Sequence, residues 1–267
     1  AGVRLSLAGV QEKLVLTRLP GGSWALPTAG VPSTHILKPE MRMLPGTVEN
    51  EAFCMRFAKH LGLAVAQVET GMAGGRKMII IERYDRVVRE DRTVERIHQE
   101  DLCQALGIHP EQKYEEDGGP SLKMIARVLN DAAGTAQLET LLCAVTLNVL
   151  IGNGDAHAKN FSLMHVSPGA VRLAPLYDLL STRMYGEKRL AMSIDGVERL
   201  DRVGADRIVN EAVSWGFQRV RAAGVVTDLL GRARAAAQAA AKETENAQTT
   251  LEQAVSAKAD ELLAGLS

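Results

Sequence analysis

The sequence predicts an α+β protein in two lobes, a β-rich first lobe over residues 1–86 and a helical second lobe over residues 87–267. Three observations predict it. Up to Arg86, short apolar runs alternate with glycine and proline turns, the texture of strands. From Val87 onward, apolar residues recur at helical spacing. Residues 138–178 then join a buried helix to a β-hairpin and gather polar residues at one end.

The elements follow in chain order. Residues 5–16 read as strand, small-residue turn and strand. Ala8-Gly9 lets backbone N–H groups approach a ligand closely, with Lys13 as a cation nearby. That suits a phosphate-covering loop, although two small residues between strands also make a plain hairpin. Pro20-Gly21-Gly22 turns the chain, and His35-Ile36-Leu37-Lys38-Pro39 is a short strand. Thr47 is the expected N-cap of a helix whose buried stripe is Phe53, Cys54, Phe57, Ala58 and Leu61. Glu51 sits one turn in, where it either pairs with Lys38 or answers the helix dipole. A hairpin follows, with strands at residues 65–70 and 78–81 and a glycine-rich turn at 71–75. Its second strand runs into Glu82-Arg83-Tyr84-Asp85-Arg86, a polar run that suits a hinge whose amides read an adenine edge.

In the second lobe, residues 99–106 read as a short helix closed by Gly107, and residues 113–120 as a polar loop. Ser121 caps a helix with Leu122, Ile125, Ala126 and Leu129 on one face. Leu138, Leu141, Leu142, Val145 and Val149 mark the next helix, which stops at Gly152-Asn153-Gly154. β-segments at 161–165 and 171–173 flank the turn Ser167-Pro168-Gly169. Residues 195–200 carry no clear pattern. Residues 203–266 read as helices broken near Gly216 and Gly224, with the alanine-rich part from Ala233 as surface helix.

Composition narrows the function classes. A charged content of 24% and a hydrophobic content of 46% describe an ordinary globular chain. The net charge of −1 argues against nucleic-acid binding by bulk electrostatics. No apolar run approaches the length of a membrane span, and no signal peptide opens the sequence. Cys54, Cys103 and Cys143 stand far apart in helical apolar patterns, without zinc spacing, as buried reduced thiols of a cytoplasmic protein do.

Asp155-Ala-His157-Ala-Lys159-Asn160 carries the chemistry. A loop Asp accepts the proton of an attacking hydroxyl, while an Asn oxygen and a second carboxylate, Asp178, hold Mg²⁺ over phosphates. Protein kinases use the same order and the same Asp-to-Asn spacing. They also keep a lysine where Lys38 stands, after a glycine turn and before a helix. Asp and Asn favour turns too, so the spacing alone is not decisive.

The chain resembles the HipA family, the serine/threonine toxin kinases of bacterial toxin–antitoxin pairs. The resemblance is carried by Ser6-Leu7-Ala8-Gly9-Val10-Gln11-Glu12-Lys13, Thr34-His35-Ile36-Leu37-Lys38, and Glu82-Arg83-Tyr84-Asp85-Arg86. Further matches are Gln99-Glu100-Asp101-Leu102-Cys103-Gln104, Lys113-Tyr114-Glu115, Asp117-Gly118-Gly119-Pro120, the Asp155–Ser162 stretch and Leu176-Tyr177-Asp178. They stand in family order over roughly the first two-thirds of the chain.

The resemblance implies a two-lobed protein-kinase-like fold that binds ATP with Mg²⁺. By the same resemblance Asp155 is the catalytic base, and Asn160 and Asp178 hold the metal. Ala8, Gly9, Val10, Gln11, Glu12 and Lys13 cover the nucleotide, and Lys38 contacts the α/β-phosphates. Glu82, Arg83 and Tyr84 form the adenine hinge, and His157, Lys159 and Tyr177 complete the pocket. Ser6 is marked as a site of inactivating autophosphorylation. The implied partners are a protein substrate, with an aminoacyl-tRNA synthetase as the family precedent, and a cognate antitoxin. HipA kinases usually carry a small domain before the glycine loop, which here begins almost at residue 1. Either a separate protein supplies that domain or the sequence is cut from a longer chain. A small-molecule phosphotransferase and a catalytically quiet binding module are the competing readings. Asp155, Asn160, Asp178 and Lys38 together weigh against the quiet module, which needs none of them.

Overall fold

The computed structural model describes residues 11–28, 31–91, 93–167, 169–244 and 249–266. Ser6, Ala8, Gly9 and Val10, with the opening strand and turn expected there, lie outside the described residues.

Five antiparallel strands form the first sheet: β1 Leu14–Arg18, β2 Trp24–Ala25, β3 His35–Pro39, β4 Val68–Ala73 and β5 Arg76–Glu82, in the order β2-β1-β3-β5-β4. β3 is the middle strand and sets Lys38 opposite Ile79. Lys38 is therefore buried, 4% exposed. Helix α1, Thr47–His60, packs on β4 and β5 and buries Phe53, Cys54, Phe57 and Ala58 as the spacing predicts. The cap position belongs to Gly46, at φ 81°, and not to Thr47. The Thr47 hydroxyl instead accepts the Met41 amide at 3.1 Å, closing the preceding turn. The hairpin turn contracts to Gly74-Gly75, both at positive φ. Gly71, expected in the turn, stays in β4 opposite Met78.

Strands continue past Val87. β6 Arg86–Val88 and β7 Val94–Arg96 make a small hairpin. β8 His98–Asp101, β9 Ser162–Ser167 and β10 Ala170–Leu173 form a second sheet in the order β10-β9-β8. The helix expected over residues 99–106 is thus only α2, Leu102–Ala105. A helix so short cannot sustain itself, and the free side of β9 captures the backbone of residues 98–101 instead. Asp101 then caps α2 reciprocally with Gln104, each contact 2.9 Å.

The remaining elements are α3 Leu122–Ala133, α4 Ala136–Ile151, the hairpin β11 Arg189–Ile194 with β12 Val197–Arg199, α5 Ala205–Ser214, α6 Arg219–Glu243 and α7 Thr249–Ala264. Ser121 caps α3, accepting the Met124 amide, and Gly152 ends α4 in the left-handed region at φ 69°. The patternless stretch at 195–200 contains the β11–β12 turn, made by Asp195 (φ 49°) and Gly196 (φ 74°). The break at Gly216 is as expected, but Gly224 lies inside α6. An exposed helix glycine costs about 1 kcal/mol relative to alanine. The buried stripe of Ala222, Val226, Leu229 and Leu230 outweighs that cost.

The alanine-rich end is core and not surface. Ala233, Ala236, Ala237 and Ala240 are buried where α6 meets α1, α4 and α7, and their small side chains let the helices approach closely. Of the cysteines, Cys54 and Cys103 are buried while Cys143 is only half-buried.

The helix interface yields a prediction. Ala237→Leu forces a larger side chain into a filled contact and should cost about 1–3 kcal/mol in urea unfolding. Ala235→Leu, on the exposed face of the same helix, should change stability by less than about 0.5 kcal/mol. Equal effects at the two positions would return α6 to the surface reading.

Candidate active site

Lys38 Nζ stands between two carboxylates. It donates to Glu51 Oε1 at 2.7 Å and to Asp178 Oδ1 at 2.6 Å. Of the two readings of Glu51, the ion pair is the one the structure adopts. Burial alone would neutralise these groups, but the paired charges outweigh it for Lys38, whose pKa is raised. Burial pushes the Asp178 carboxyl up, and the Lys38 ammonium with its hydrogen bond pulls it further down, to about 2. For Glu51, burial wins over Lys38 and the pKa rises.

Asp178 reaches Lys38 because the chain before it is stapled to the first half. Leu176 exchanges backbone bonds with Ala64 (2.8 Å) and Ala66 (2.9 Å). Asn50 on α1 grips Ser181 on the other side, through both its amide (2.9 Å) and its carbonyl (3.1 Å). Asp178 itself takes φ 57°, a left-handed conformation that Asp tolerates better than most residues.

The loop after α4 is held as tightly. Asn148 Oδ1 accepts from Asn153 Nδ2 (2.9 Å), and Asn153 Oδ1 accepts the Asp155 amide (3.2 Å). The Gly154 amide donates to Thr182 Oγ1 at 2.8 Å. Tyr114 donates its hydroxyl to Asp155 Oδ1 at 2.7 Å. Asn160 Nδ2 folds back on the Asp155 carbonyl at 3.4 Å. Asp155, Asn160 and Asp178 line one small cleft together with Gln11.

Beside that cleft lies a cavity of about 370 Å³, shared at Asn160 and Asp178. Ile36 and Ile81 form its apolar wall and residues 82–85 its back edge. Lys13, Lys38, Lys113 and Lys159 all line it, a cationic lining suited to phosphates. Tyr84 and Tyr177 approach each other at 5.9 Å between ring centroids. Tyr84 donates to Gln99 at 2.6 Å, and Tyr177 donates to the Lys159 carbonyl at 2.6 Å. Along the back edge, the Glu82 amide is taken by Gln67 and the Arg83 amide by Thr34. Tyr84 has no backbone partner for its N–H among the described residues. His157 is 2% exposed, neither ring nitrogen has a hydrogen-bond partner among the described residues, and burial pushes its pKa down to about 3. It is a neutral imidazole at physiological pH.

The structure brings Lys13, Lys38, Glu82, Arg83, Tyr84, His157, Lys159, Asn160, Tyr177 and Asp178 to the cavity, and Gln11 and Asp155 to the adjoining cleft. Glu12 points away and pairs with Arg76 at 2.8 Å. Arg83 spends its guanidinium on Asp85, in contacts of 3.0 and 2.8 Å. Sequence reasoning did not single out Tyr114, Lys113 or Gln99 individually. Each sat in a recognised motif, but only the folded chain shows that Tyr114 touches Asp155. The oxygen donors of Asn160 and Asp178, one amide and one ionised carboxylate, are the hard ligands that Mg²⁺ takes.

The two-lobed arrangement is a protein-kinase-like fold. The chain belongs to the HipA-like C-terminal domain family, whose sequence model matches residues 5–259. It is 48% identical over 209 residues to the putative kinase Y4mE of Sinorhizobium fredii, covering 77% of this chain and 49% of that protein. To the serine/threonine-protein kinase toxin HipA of Shewanella oneidensis it is 37% identical over 211 residues, covering 72% of this chain and 47% of HipA. The solved structure of Shewanella HipA, in complex with HipB and operator DNA, matches with a TM-score of 0.86 at 31% identity. That match covers 100% of this chain and 65% of the HipA chain. The Helicobacter pylori proinflammatory kinase CtkA matches with a TM-score of 0.59 at 10% identity, over 94% of this chain and 93% of CtkA, and supports the fold alone. The chain thus spans about half the length of the curated relatives it matches.

Asp178 makes a prediction about acid. A carboxyl held below its unfolded pKa of about 3.9 stabilises the fold above that pH. The contribution, about 2 kcal/mol, disappears as the pH falls from about 4 through about 2. Asp178→Asn should therefore flatten the fall in stability over that window, measured by urea unfolding at several pH values. An unchanged acid slope would mean that Lys38 does not hold the carboxylate ionised.

Proposed function

We propose that this chain is the kinase core of an ATP- and Mg²⁺-dependent serine/threonine protein kinase of the HipA type, with residues 1–86 and 87–267 as its lobes. The observation that carries this reading is Lys38, bonded to both Glu51 and Asp178 in the wall of a lysine-lined cavity. A cation fixed in this way is positioned for the α/β-phosphates, with the adenine between the lobes against Tyr84. Gln11 and Lys13, with Ala8, Gly9 and Val10, would cover the nucleotide, while the Glu12 side chain is paired with Arg76. Asn160 and Asp178 would hold Mg²⁺, which when bound screens the charge on the phosphate oxygens.

Asp155, oriented by Tyr114, would take the proton from the substrate hydroxyl at its carboxylate. His157, Lys159 and Tyr177 complete the pocket, with His157 neutral and the Tyr177 hydroxyl fastening the loop at Lys159. By family resemblance the substrate is a protein of translation such as an aminoacyl-tRNA synthetase. The solved HipA relative is bound to HipB and operator DNA, and a HipB-like antitoxin is the partner proposed here. Ser6 is the proposed autophosphorylation site, where about two added negative charges would be repelled by a bound triphosphate.

The test is incubation with γ-labelled ATP, Mg²⁺ and a bacterial lysate, followed by mass spectrometry of the labelled species. Label should appear on serine or threonine of a discrete protein and on Ser6. Asp155→Asn should lower transfer by at least about 10²-fold with ATP still bound. Label confined to small molecules would favour a small-molecule phosphotransferase. Bound ATP without any transfer would favour a binding module.

A further inference from the structure

The outer face of the second sheet brings two histidines and a glutamate together. His98 on β8 and His165 on β9 are directly opposed in the antiparallel register, and their ring centroids are 4.8 Å apart. Glu100, two residues along β8 on the same face, reaches diagonally to His165 Nε2 at 2.8 Å. One ligand atom from each of the three lies within 4.8 Å of the others, and they are the one such group of His, Cys, Asp or Glu among the described residues. Strand alternation separates this face from the nucleotide side. Gln99 and Asp101, the residues between and beyond, line the cavity.

We infer that His98, Glu100 and His165 form a site for a divalent transition metal of the zinc class, separate from the residues proposed for Mg²⁺ and independent of the kinase reading. Two imidazoles beside a single carboxylate select Zn²⁺ over Mg²⁺, because imidazole nitrogen is a borderline ligand that Mg²⁺ does not favour. Three protein ligands with water as the fourth complete a tetrahedron. Bonds of about 2.0–2.2 Å set tetrahedral ligands about 3.4 Å apart, so donors separated by up to 4.8 Å must close by up to about 1.4 Å, while the His165–Glu100 pair, now at 2.8 Å, opens by about 0.6 Å. His98 is exposed, and the His165 and Glu100 side chains are 35% and 29% exposed, so small side-chain rotations accomplish this without moving the strands. A histidine binds metal through a bare ring nitrogen. Any proton that His165 Nε2 now shares with Glu100 therefore passes to Nδ1, or to solvent if the ring was charged. The bound ion clamps β8 to β9 across the sheet whose other face lines the cavity.

The experiment is a Zn²⁺ titration of the untagged, reduced 267-residue chain, in competition with a chromophoric chelator and in excess Mg²⁺. One ion per chain should bind with a dissociation constant of about 10 µM or tighter. His98→Ala and His165→Gln should each weaken it by about tenfold or more. Zn²⁺ should raise the melting temperature of the parent chain and not of a double variant that combines His98→Ala with His165→Gln. His98 is exposed, so its variant tests the site without disturbing the core. No saturable binding, or binding unchanged in the double variant, would overturn the assignment.

Discussion

A buried ammonium held between two carboxylates is the constraint from which the rest of the site follows. Lys38 comes from the central strand of the first sheet, Glu51 from the helix packed on that sheet, and Asp178 from beyond the second sheet. A lysine at 4% exposure without partners would shed its proton or unfold its surroundings. Two acids remove that penalty only if both chain halves are in place. The Leu176 backbone staple and the Asn50 grip on Ser181 are the means by which Asp178 is delivered. Buried ion pairs of this kind contribute more to a defined geometry than to net stability.

Glycines set the second half of the site. A β-carbon on Gly154 would sit 2.3 Å from the Arg189 carbonyl oxygen, so β11 can press directly on the residue before Asp155. At Gly119 a β-carbon would meet the carbonyls of Gln112 and Tyr114 at 2.1 and 2.6 Å. That close packing folds residues 112–119 on themselves and presents the Tyr114 hydroxyl to Asp155. What reads in sequence as a polar loop is in the fold a brace for the central carboxylate.

Much of this was legible before the fold. His35–Pro39, Ser121 as a cap, the α4 stripe and its stop at Gly152 all follow from local periodicity and turn chemistry, and the structure has them. Residues 98–101 were misread because their strand character comes from β9, more than sixty residues away, and not from their own pattern. The alanine-rich α6 was misread for a related reason. Its burial is decided by four neighbouring helices and not by large apolar anchors of its own. Tyr114 and the His98, Glu100 and His165 group share that origin, since no spacing in one segment announces a contact between two. The loop of Ala8, Gly9 and Val10, with Ser6, rests on sequence alone.

The most direct measurement is calorimetric titration of the parent chain and of Lys38→Ala and Lys38→Arg with ATP and Mg²⁺. Lys38 as the fixed phosphate cation predicts at least about a tenfold loss of affinity in the alanine variant, roughly 1.4 kcal/mol. Arginine should recover little of it, because its planar fork cannot replace a point charge between Glu51 and Asp178. Affinity within twofold of the parent in both variants, with circular dichroism unchanged, would contradict the account.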